Sequence, residues 1–499
     1  MYTIVFVLIL VFSWLETSIG GDFAKVFASP AGDSPTAIAE GHGGGYLLVG
    51  ENAHYGPGAE NAWVLRLDGE GRILWEKTYG GSDRDIIWAV DRTSDGGYIL
   101  AGTTKSGPGY WDAWLVKIND RGEVLWQKNY GLESFWGSDS SEEALAVKET
   151  SDGGFIVAGT TLAGWSEDIW VFKTDPSGNI EWSKVFEGSY GDVATAVAQT
   201  PAGDFIIVGS VESSPPFTDL LVLKIDSSGN LLWSKSYGGD NEEGALDVLV
   251  GSAGEILVLG YTGTDTFTRG GTDLWLLSLD GDGNINWQKS FGGDGNDKGY
   301  SIMEVPGGGY LLTGSTDSFG ARVGDFWILR TDSAGNILWQ KRFGTDTTEA
   351  QSGAFGVLTG DGLGVLGDTG FYNQNYSYNL LFLKLSDLSG NLNAKCNGWI
   401  HFLDTNSQYI GTTASPVDVS GSFNEHNATP DVADVSIQFS DVKSTVKEEC
   451  LPQGGGSGGS GGGGASGGGG CTTASLAPAI SYLLALFIIL GRAFMRAKG

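Results

Sequence analysis

The chain has 499 residues, including 81 glycines and 17 tryptophans, and a formal net charge of −31 at pH 7. This acidity argues against nucleic acid as a partner, because binding to phosphate groups requires positive charge. Only three cysteines are present, all after residue 390, so the chain is not a disulfide-rich scaffold. Its glycine and aromatic content is typical of short strands joined by tight turns.

The chain begins with an apolar run, Ile4–Trp14, followed by Ser18 and Gly20 at the spacing of a signal-peptide cleavage site. We predict that residues 1–20 are a signal peptide and that the protein is exported. A retained anchor is the alternative interpretation, although the apolar run is short for a membrane span.

Residues 22–394 repeat with a period of about 52 residues, in the range typical of propellers and solenoids. Each unit contains four apolar runs separated by turn residues and closes on a pentapeptide such as "WQKNY" (126–130). Four strands per unit predict a propeller blade. The second strand occurs seven times, which predicts seven blades: Gly45–Gly50, Gly97–Gly102, Gly154–Gly159, Asp204–Gly209, Glu255–Gly260, Gly309–Gly314 and Leu363–Gly367.

An isolated copy of the pentapeptide, "FAKVF" (23–27), precedes the first complete unit, whereas the seventh unit lacks its closing tryptophan at Ala394. We predict that residues 23–27 complete the seventh blade by pairing around Leu380–Leu385, which closes the ring. The central residue of every pentapeptide is lysine, expected on the outermost strand, where it blunts an exposed edge: Lys25, Lys77, Lys128, Lys184, Lys235, Lys289 and Lys341.

Two acidic columns recur once per unit, on connections at the same end of the blade. The first, at the entry to strand one, is Asp33, Asp85, Glu142, Asp192, Glu243 and Asp297, with Ser352 in the last unit. The second, before strand three, is Asp112, Asp168, Asp219, Asp273 and Asp325, with Asn61 and Asn379 in the other units. Carboxylates that accept hydrogen bonds from loop amides are the structural interpretation. A double ring that holds metal ions or a cationic ligand is the alternative.

Aromatic residues in the unit-specific loops at that end are candidates for a binding rim for glycans or protein partners. They are Tyr110, Trp111, Trp136, Trp165, Phe217, Phe267, Phe319 and Tyr372. Ordinary loop packing explains them as well.

The stretch "DGDGN" (280–284) resembles part of a calcium loop, which makes Asp280, Asp282 and Asn284 weak metal candidates. It aligns with "DPSGN" (175–179), so a hairpin turn is favoured. No nucleophile or cofactor motif is recognisable. The sequence therefore predicts no catalytic residue and no cofactor, and leaves calcium open.

The run "WLLSLDGDGNINWQKSFGG" (275–293) resembles the repeat of quinoprotein (PQQ) propellers. That resemblance covers strands three and four of the units and implies a propeller fold. Quinoprotein propellers usually have eight blades and a paired-cysteine disc against the cofactor, and residues 22–394 contain no cysteine. The whole unit is similar to the repeats of surface propellers of bacteria and archaea.

The propeller is followed by a polar segment (395–453), a Gly-rich linker (454–470), and a tail (471–499) with Cys471, an apolar run and a basic end. This order resembles the C-terminal sorting tails of prokaryotic surface proteins, which implies trimming by a protease. A plain membrane anchor is the alternative. We also predict a disulfide between Cys396 and Cys450, and processing or lipid attachment at Cys471.

Taken together, the sequence predicts an all-β, seven-bladed propeller with a C-terminal transmembrane segment, displayed outside the cytoplasm. We expect it to bind a protein or glycan without catalysis, and to contact the membrane through its C-terminal tail. Two alternatives remain open. One is a surface enzyme, either a carboxylate-based hydrolase or a PQQ-type dehydrogenase, and the other is a structural coat component.

Overall fold

The computed structural model describes residues 22–389, and seven strands between residues 401 and 448. The gaps within the first range are 29–31, 54–59, 106–110, 133–139, 163–165, 189–190, 215–216, 240, 264–270, 320–323, 345–353 and 370–378. In these described parts, no helix combines the length and the apolar character that crossing a bilayer requires.

Seven antiparallel blades of four strands each surround a central axis, as predicted, and each blade is part of a five-stranded sheet. Blade 1 contains β2 (Asp33–Glu40), β3 (Tyr46–Asn52), β4 (Asn61–Leu67) and β5 (Ile73–Gly80). Blade 2 contains β6 (Asp85–Arg92), β7 (Tyr98–Thr104), β8 (Asp112–Ile118) and β9 (Val124–Gly131). Blade 3 contains β10 (Glu142–Glu149), β11 (Phe155–Thr161), β12 (Asp168–Thr174) and β13 (Ile180–Glu187). Blade 4 contains β14 (Asp192–Gln199), β15 (Phe205–Ser214), β16 (Phe217–Ile225) and β17 (Leu231–Tyr237).

The remaining blades follow the same order. Blade 5 contains β18 (Glu243–Val250), β19 (Ile256–Thr262), β20 (Asp273–Leu279) and β21 (Ile285–Phe291). Blade 6 contains β22 (Asp297–Glu304), β23 (Tyr310–Thr316), β24 (Asp325–Thr331) and β25 (Ile337–Gly344). Blade 7 contains β26 (Phe355–Thr359), β27 (Gly362–Thr369), β28 (Asn379–Leu385) and, from the other end of the chain, β1 (Phe23–Ala28).

The apolar core is divided among the seven interfaces between adjacent blades. The middle strands β7 and β8 are buried along their whole length, as their nearly continuous apolar sequences predict. Each of the seven core clusters combines residues of two neighbouring blades; one, for example, packs Leu47 and Val64 of blade 1 with Leu100 and Trp114 of blade 2. A blade therefore buries its two faces only when both neighbours are present.

The pentapeptides connect each blade to the next one. Five of their tryptophans donate the indole N–H to a carbonyl of the following blade's outer turn, in the pairs Trp75–Asp120, Trp126–Pro176, Trp182–Ser227, Trp233–Gly281 and Trp339–Leu388. The Tyr79 hydroxyl donates to the Gly122 carbonyl at 2.8 Å. Gly122 has a φ of +70°, and a Cβ there would lie 2.9 Å from the Trp75 ring, so only glycine fits. We call this set of contacts the interblade clasp.

Strand β1 closes the ring, which confirms the prediction for the isolated "FAKVF". It pairs antiparallel with β28, with Phe23 opposite Lys384 and Phe27 opposite Leu380. Phe23 takes the place of the tryptophan in the clasp, because a Cβ on Gly71 would collide with its ring. The Lys25 ammonium donates to the carbonyls of Glu70 and Gly71 at 3.0 and 3.1 Å. The seventh interface is therefore built like the others.

A feature that the sequence analysis did not predict is a belt of seven short strands that adds a fifth strand to every blade. In chain order the belt contains β29 (His401–Asp404), β30 (Ile410–Gly411), β31 (Val417–Asp418), β32 (Asn424–Asn427), β33 (Asp431–Asp434), β34 (Gln438–Asp441) and β35 (Thr445–Glu448). These strands pair with blades 6, 5, 4, 3, 2, 1 and 7 in turn. Neighbouring strands rotate by roughly 20–25°, so the fifth strand lies about 90° from the first and runs around the ring.

The belt corrects one expectation for the pentapeptide lysines. Their strand was predicted to be the outermost one of each blade, but in each blade a belt strand lies outside it.

Cys396 and Cys450 lie outside the described residues. The belt strands nearest to them in sequence, β29 and β35, lie on blades 6 and 7, which are neighbours in the ring.

We expect deletion of residues 22–30 to destabilise the propeller by several kcal/mol, because it removes the fourth strand of blade 7, opens the ring and exposes an apolar edge. Phe27 and Ala24 are fully buried in the intact ring. Chemical denaturation of the deletion variant and the parent would measure the difference. Equal free energies of unfolding would show that closure does not depend on β1.

Candidate functional site

The two faces of the ring differ in how uniform their connections are. On the face that we call lower, five residues join strands one and two in six blades, and five join strands three and four in six blades. On the upper face, the connections between strands two and three range from two to ten residues, and those between blades from four to ten. Variable loops on a regular scaffold are where binding residues usually lie.

Three of the predicted rim aromatics lie in the described part of the upper face. Phe217 begins β16 and is 41% exposed. The Trp111 ring lies 5.5 Å from the ammonium of Lys105. Phe319 instead packs on the buried Trp327 with ring centroids 5.6 Å apart, so it contributes to the core. The other five rim candidates, Tyr110, Trp136, Trp165, Phe267 and Tyr372, lie outside the described residues.

The first acidic column accepts hydrogen bonds at the entry into five of the blades. Glu243 accepts a hydrogen bond from the Thr262 hydroxyl at 3.2 Å and from the Gly239 amide at 3.0 Å. Asp297 accepts from the Gly293 amide at 2.9 Å and from the Ser318 hydroxyl at 2.8 Å. Asp33, Asp85 and Glu142 accept in the same way from a side chain at the end of the second strand.

The second column meets the first across the interface between blades. A Cβ on Gly292, at the end of the outer strand, would collide with the carboxylates of both Asp273 and Asp297. The equivalent pairs in the other three interfaces with two acidic residues are Asp112 with Glu142, Asp168 with Asp192, and Asp219 with Glu243. The glycine that follows most pentapeptides is needed because the paired carboxylates occupy the space beside it.

Burial raises the pKa values of five of these carboxyl groups, and the facing carboxylate adds to the shift at Glu142, Asp192 and Glu243. The pKa is about 7 for Glu142, Asp168, Asp192 and Glu243, with burial as the largest cause in each case. The pKa of Asp297 is also raised by burial. Two carboxylates in one buried site cannot both ionise at low cost, so a pair holds a proton near neutral pH.

The other interfaces avoid the second negative charge in different ways. Asn61 replaces the second acidic residue next to Asp85, as does Asn379 in the unit that precedes blade 1. Ser352 in the last unit lies outside the described residues, and in that interface the buried Asp325 forms an ion pair with the buried Arg342. These substitutions share one effect, which is to keep the number of buried negative charges low.

The predicted weak calcium candidates form a hairpin turn. Asp280 accepts hydrogen bonds from the amides of Asp282 and Asn284 at 3.0 and 2.8 Å, and from the Asn284 side chain at 3.0 Å. Asp332 makes the same three contacts in its own turn. Hydrogen bonds from Asn284 hold the pKa of Asp280 below its ordinary value. The carboxylate is already engaged by the turn that it caps.

The central channel breaks the sevenfold symmetry. The first strands of neighbouring blades contact each other around the axis, so that they line this channel. Lys148 of blade 3 donates to Asp91 of blade 2 at 3.1 Å, and its side chain keeps 49% exposure. Asp247 of blade 5 accepts the amides of Val248 and Ile302 at 2.8 and 2.9 Å.

The three channel residues form a charge cluster. Asp91 and, to a smaller extent, Asp247 raise the pKa of Lys148, while burial raises the pKa of Asp247 to about 6. Nearer the upper face, Trp88 and Tyr300 each lie at a β-bulge of a first strand, and the Tyr300 ring lies 5.8 Å from the ring of Phe355. The arrangement can bind polar groups, and the described residues contain no cluster of three or more metal-ligating side chains.

Sequence reasoning identified the acidic columns and the rim aromatics but missed the channel cluster. Asp91, Lys148 and Asp247 come from three different units, and nothing in the local sequence connects them. One signal was available, because other blades carry Ala39, Ala198 and Leu249 at the position of Asp91 and Lys148. Charged residues at positions that are otherwise apolar in a repeat indicate a departure from the common structural role.

The fold and this geometry define a closed, seven-bladed β-propeller, consistent with a non-catalytic binding or scaffolding role. No family model matches the chain. It is similar to the regulatory protein FlaEY of Caulobacter vibrioides, with 25% identity over 237 residues. That match covers 42% of this chain and 24% of FlaEY, so it spans about a quarter of the relative's length.

Two crystal structures are similar over most of the chain. Sqt1 from Chaetomium thermophilum is 14% identical, covers 76% of this chain and 98% of its own, and has a TM-score of 0.39. A eukaryotic initiation factor is 9% identical, covers 74% of this chain and 100% of its own, and has a TM-score of 0.32. Similarities at these TM-scores carry no argument about function.

The carboxylate pairs predict that stability falls as the pH rises from 5 to 8. Their folded-state pKa values lie above the ordinary values of 3.8 and 4.5, so the folded protein keeps protons that the unfolded chain releases. This stabilisation is complete below about pH 4 and is lost as the pH rises through about 7. We expect a loss on the order of 2 kcal/mol per pair, measured by denaturation across that range.

Two reciprocal substitutions provide the control for this prediction. Asp168→Asn copies the natural Asn61–Asp85 interface and should flatten the pH dependence between 5 and 8. Asn61→Asp creates a new carboxylate pair and should steepen it. If both variants keep the slope of the parent protein, the pairs are not the source of the pH dependence.

Proposed function

We propose that the protein is displayed on the cell surface and binds a protein or glycan, without catalysis, through its upper face and the adjoining channel. The observation that carries this proposal is the contrast between the faces. Lower-face turns keep one length in six blades, whereas upper-face connections range from two to ten residues. Stability alone does not require such variation, and binding sites are commonly built from variable loops on a rigid scaffold.

The described side chains of the upper face support the same role. Phe217 remains 41% exposed at the edge of blade 4, and Lys105 lies over the ring of Trp111. Aromatic rings of this kind bind sugars and form the energetic centres of protein interfaces. The net charge of −31 favours a neutral or cationic partner over nucleic acid.

Binding to immobilised polysaccharides and to the surface-polymer and surface-protein fractions of the host cell would test the proposal. We expect Phe217→Ala to weaken binding at least about tenfold, as the loss of an exposed aromatic anchor does. The matched control is Leu232→Ala in the same blade, which removes an apolar side chain that is 51% exposed near the lower face. It should leave binding unchanged.

Two outcomes would contradict a binding role at the upper face. One is the absence of binding to every fraction, which would favour a scaffolding or coat role. The other is an equal loss of binding in both alanine variants, which would place the contact elsewhere or show that it is unspecific.

Surface display is a separate part of the proposal and rests on the two ends of the sequence. Residues 1–20 would direct export, and the tail 471–499 would hold the chain in the membrane until a protease cuts near Cys471. The mature protein would then end near Cys471, with a lipid or another anchor on its sulfur. The intact mass of protein recovered from cells measures this directly. If most molecules retain residues 472–499, the tail is a plain anchor.

A further inference from the structure

Each pentapeptide lysine has a partner residue directly across in the belt. The register pairs are Lys25–Glu448, Lys77–Asp441, Lys128–Asp434, Lys184–Asn427, Lys235–Asp418, Lys289–Gly411 and Lys341–Asp404. Five of the seven belt positions opposite a lysine are therefore acidic. Only two acidic residues, Glu425 and Asp431, occupy other positions of the belt strands, opposite Phe186 and Gly131.

The partner positions also follow a regular spacing. They recur every seven residues along the belt, apart from one nine-residue step between Asp418 and Asn427. This spacing matches one belt strand per blade. The lysines are held in place before the belt is considered, because Lys235 donates to the Asp282 carbonyl at 2.6 Å and Lys289 to the Asn336 side chain at 2.6 Å. The outer strand that pairs with the belt therefore carries a lysine at the same position in every blade.

We infer that the outer edges of the blades form a recognition surface for an extended acidic strand, and that its partner is the chain's own segment 401–448. Opposite charges that face each other directly across an antiparallel pair favour that pairing over like or neutral pairs. A shift of one residue would move every acidic residue out of the register position opposite its lysine. The lysine column therefore sets the register of the belt.

The last belt strand gives this recognition a role in ring closure. Strand β35 pairs with β1, with Glu448 opposite Lys25 and Thr445 opposite Ala28. Strand β1 itself has only its pairing with β28 on the other side. The closing strand is thus held between two partners, and its outer edge is covered by the C-terminal segment. A belt in the correct register therefore holds β1 in place and keeps the ring closed.

Two matched charge reversals in the full chain, purified in detergent, test the inference. Asp434→Lys with Asp441→Lys reverses two acidic residues opposite lysines. Glu425→Lys with Asp431→Lys makes the same change in charge at belt positions opposite other residues. We expect the first pair to speed amide hydrogen exchange in residues 401–448 and in β1 at least about tenfold, and the second pair to change it less than about twofold. Strand β7 serves as the internal measure of folding, since its exchange should not change.

A charge swap and a salt series complete the test. Adding Lys77→Glu and Lys128→Glu to the first pair restores opposite charges and should recover most of the lost protection. In the parent protein, exchange in the belt should rise with salt, since about 1 M salt reduces the range of charge interactions to about 3 Å. Equal effects of the two reversals, no recovery in the swap, or exchange that is independent of salt would each overturn the inference.

Discussion

The interblade clasp is the interaction on which the rest of the structure depends. Each blade buries both faces against its neighbours, so the apolar clusters form only if successive blades stand at a fixed spacing and angle. The clasp sets this geometry at the periphery by joining an outer strand to the turn of the next blade, as Trp75 and Tyr79 do with the turn around Gly122. A propeller has no end at which this contact can be omitted without exposing a core cluster.

This requirement explains both ends of the folded chain. The first residues of the propeller supply the seventh clasp, because Phe23 and Lys25 reach the turn at Gly71 as a tryptophan and a lysine do elsewhere. Ring closure does not pair the outer edges of the blades, because the backbone groups on the outer side of β1 and of the other fourth strands still lack partners within the propeller. The belt covers part of every such edge with short strands from the C-terminal segment. The chain therefore uses the segment before the first blade for closure and the segment after the last blade for edge protection.

The repeat could be predicted from the sequence because each blade carries several signals in a fixed order: an apolar strand, a glycine-containing turn and an aromatic pentapeptide. The belt could not be predicted in the same way. Its strands have two to four residues, too short for alternation to be visible, and its seven-residue spacing has meaning only once the lysines are known to face it. The channel cluster was hidden for another reason. Asp91, Lys148 and Asp247 are distant in sequence, and only the closed ring brings them together.

The acidic columns show how much of a site the sequence alone can fix. The sequence places both acidic columns at one end of the blades. Which carboxylates pair depends on how the third strand of one blade is offset from the first strand of the next, and only the structure shows this. That pairing imposes the same electrostatic constraint on every described interface, since two buried negative charges are costly. The chain meets it with raised pKa values at Asp168 and Asp192, with an amide at Asn61, and with the Arg342 guanidinium beside Asp325. The repeats have thus diverged in sequence at these positions while the net charge buried at each interface has stayed low. Residues that depart from the repeat here serve the fold, whereas the variable connections of the upper face have no such structural requirement and are therefore where function is to be sought.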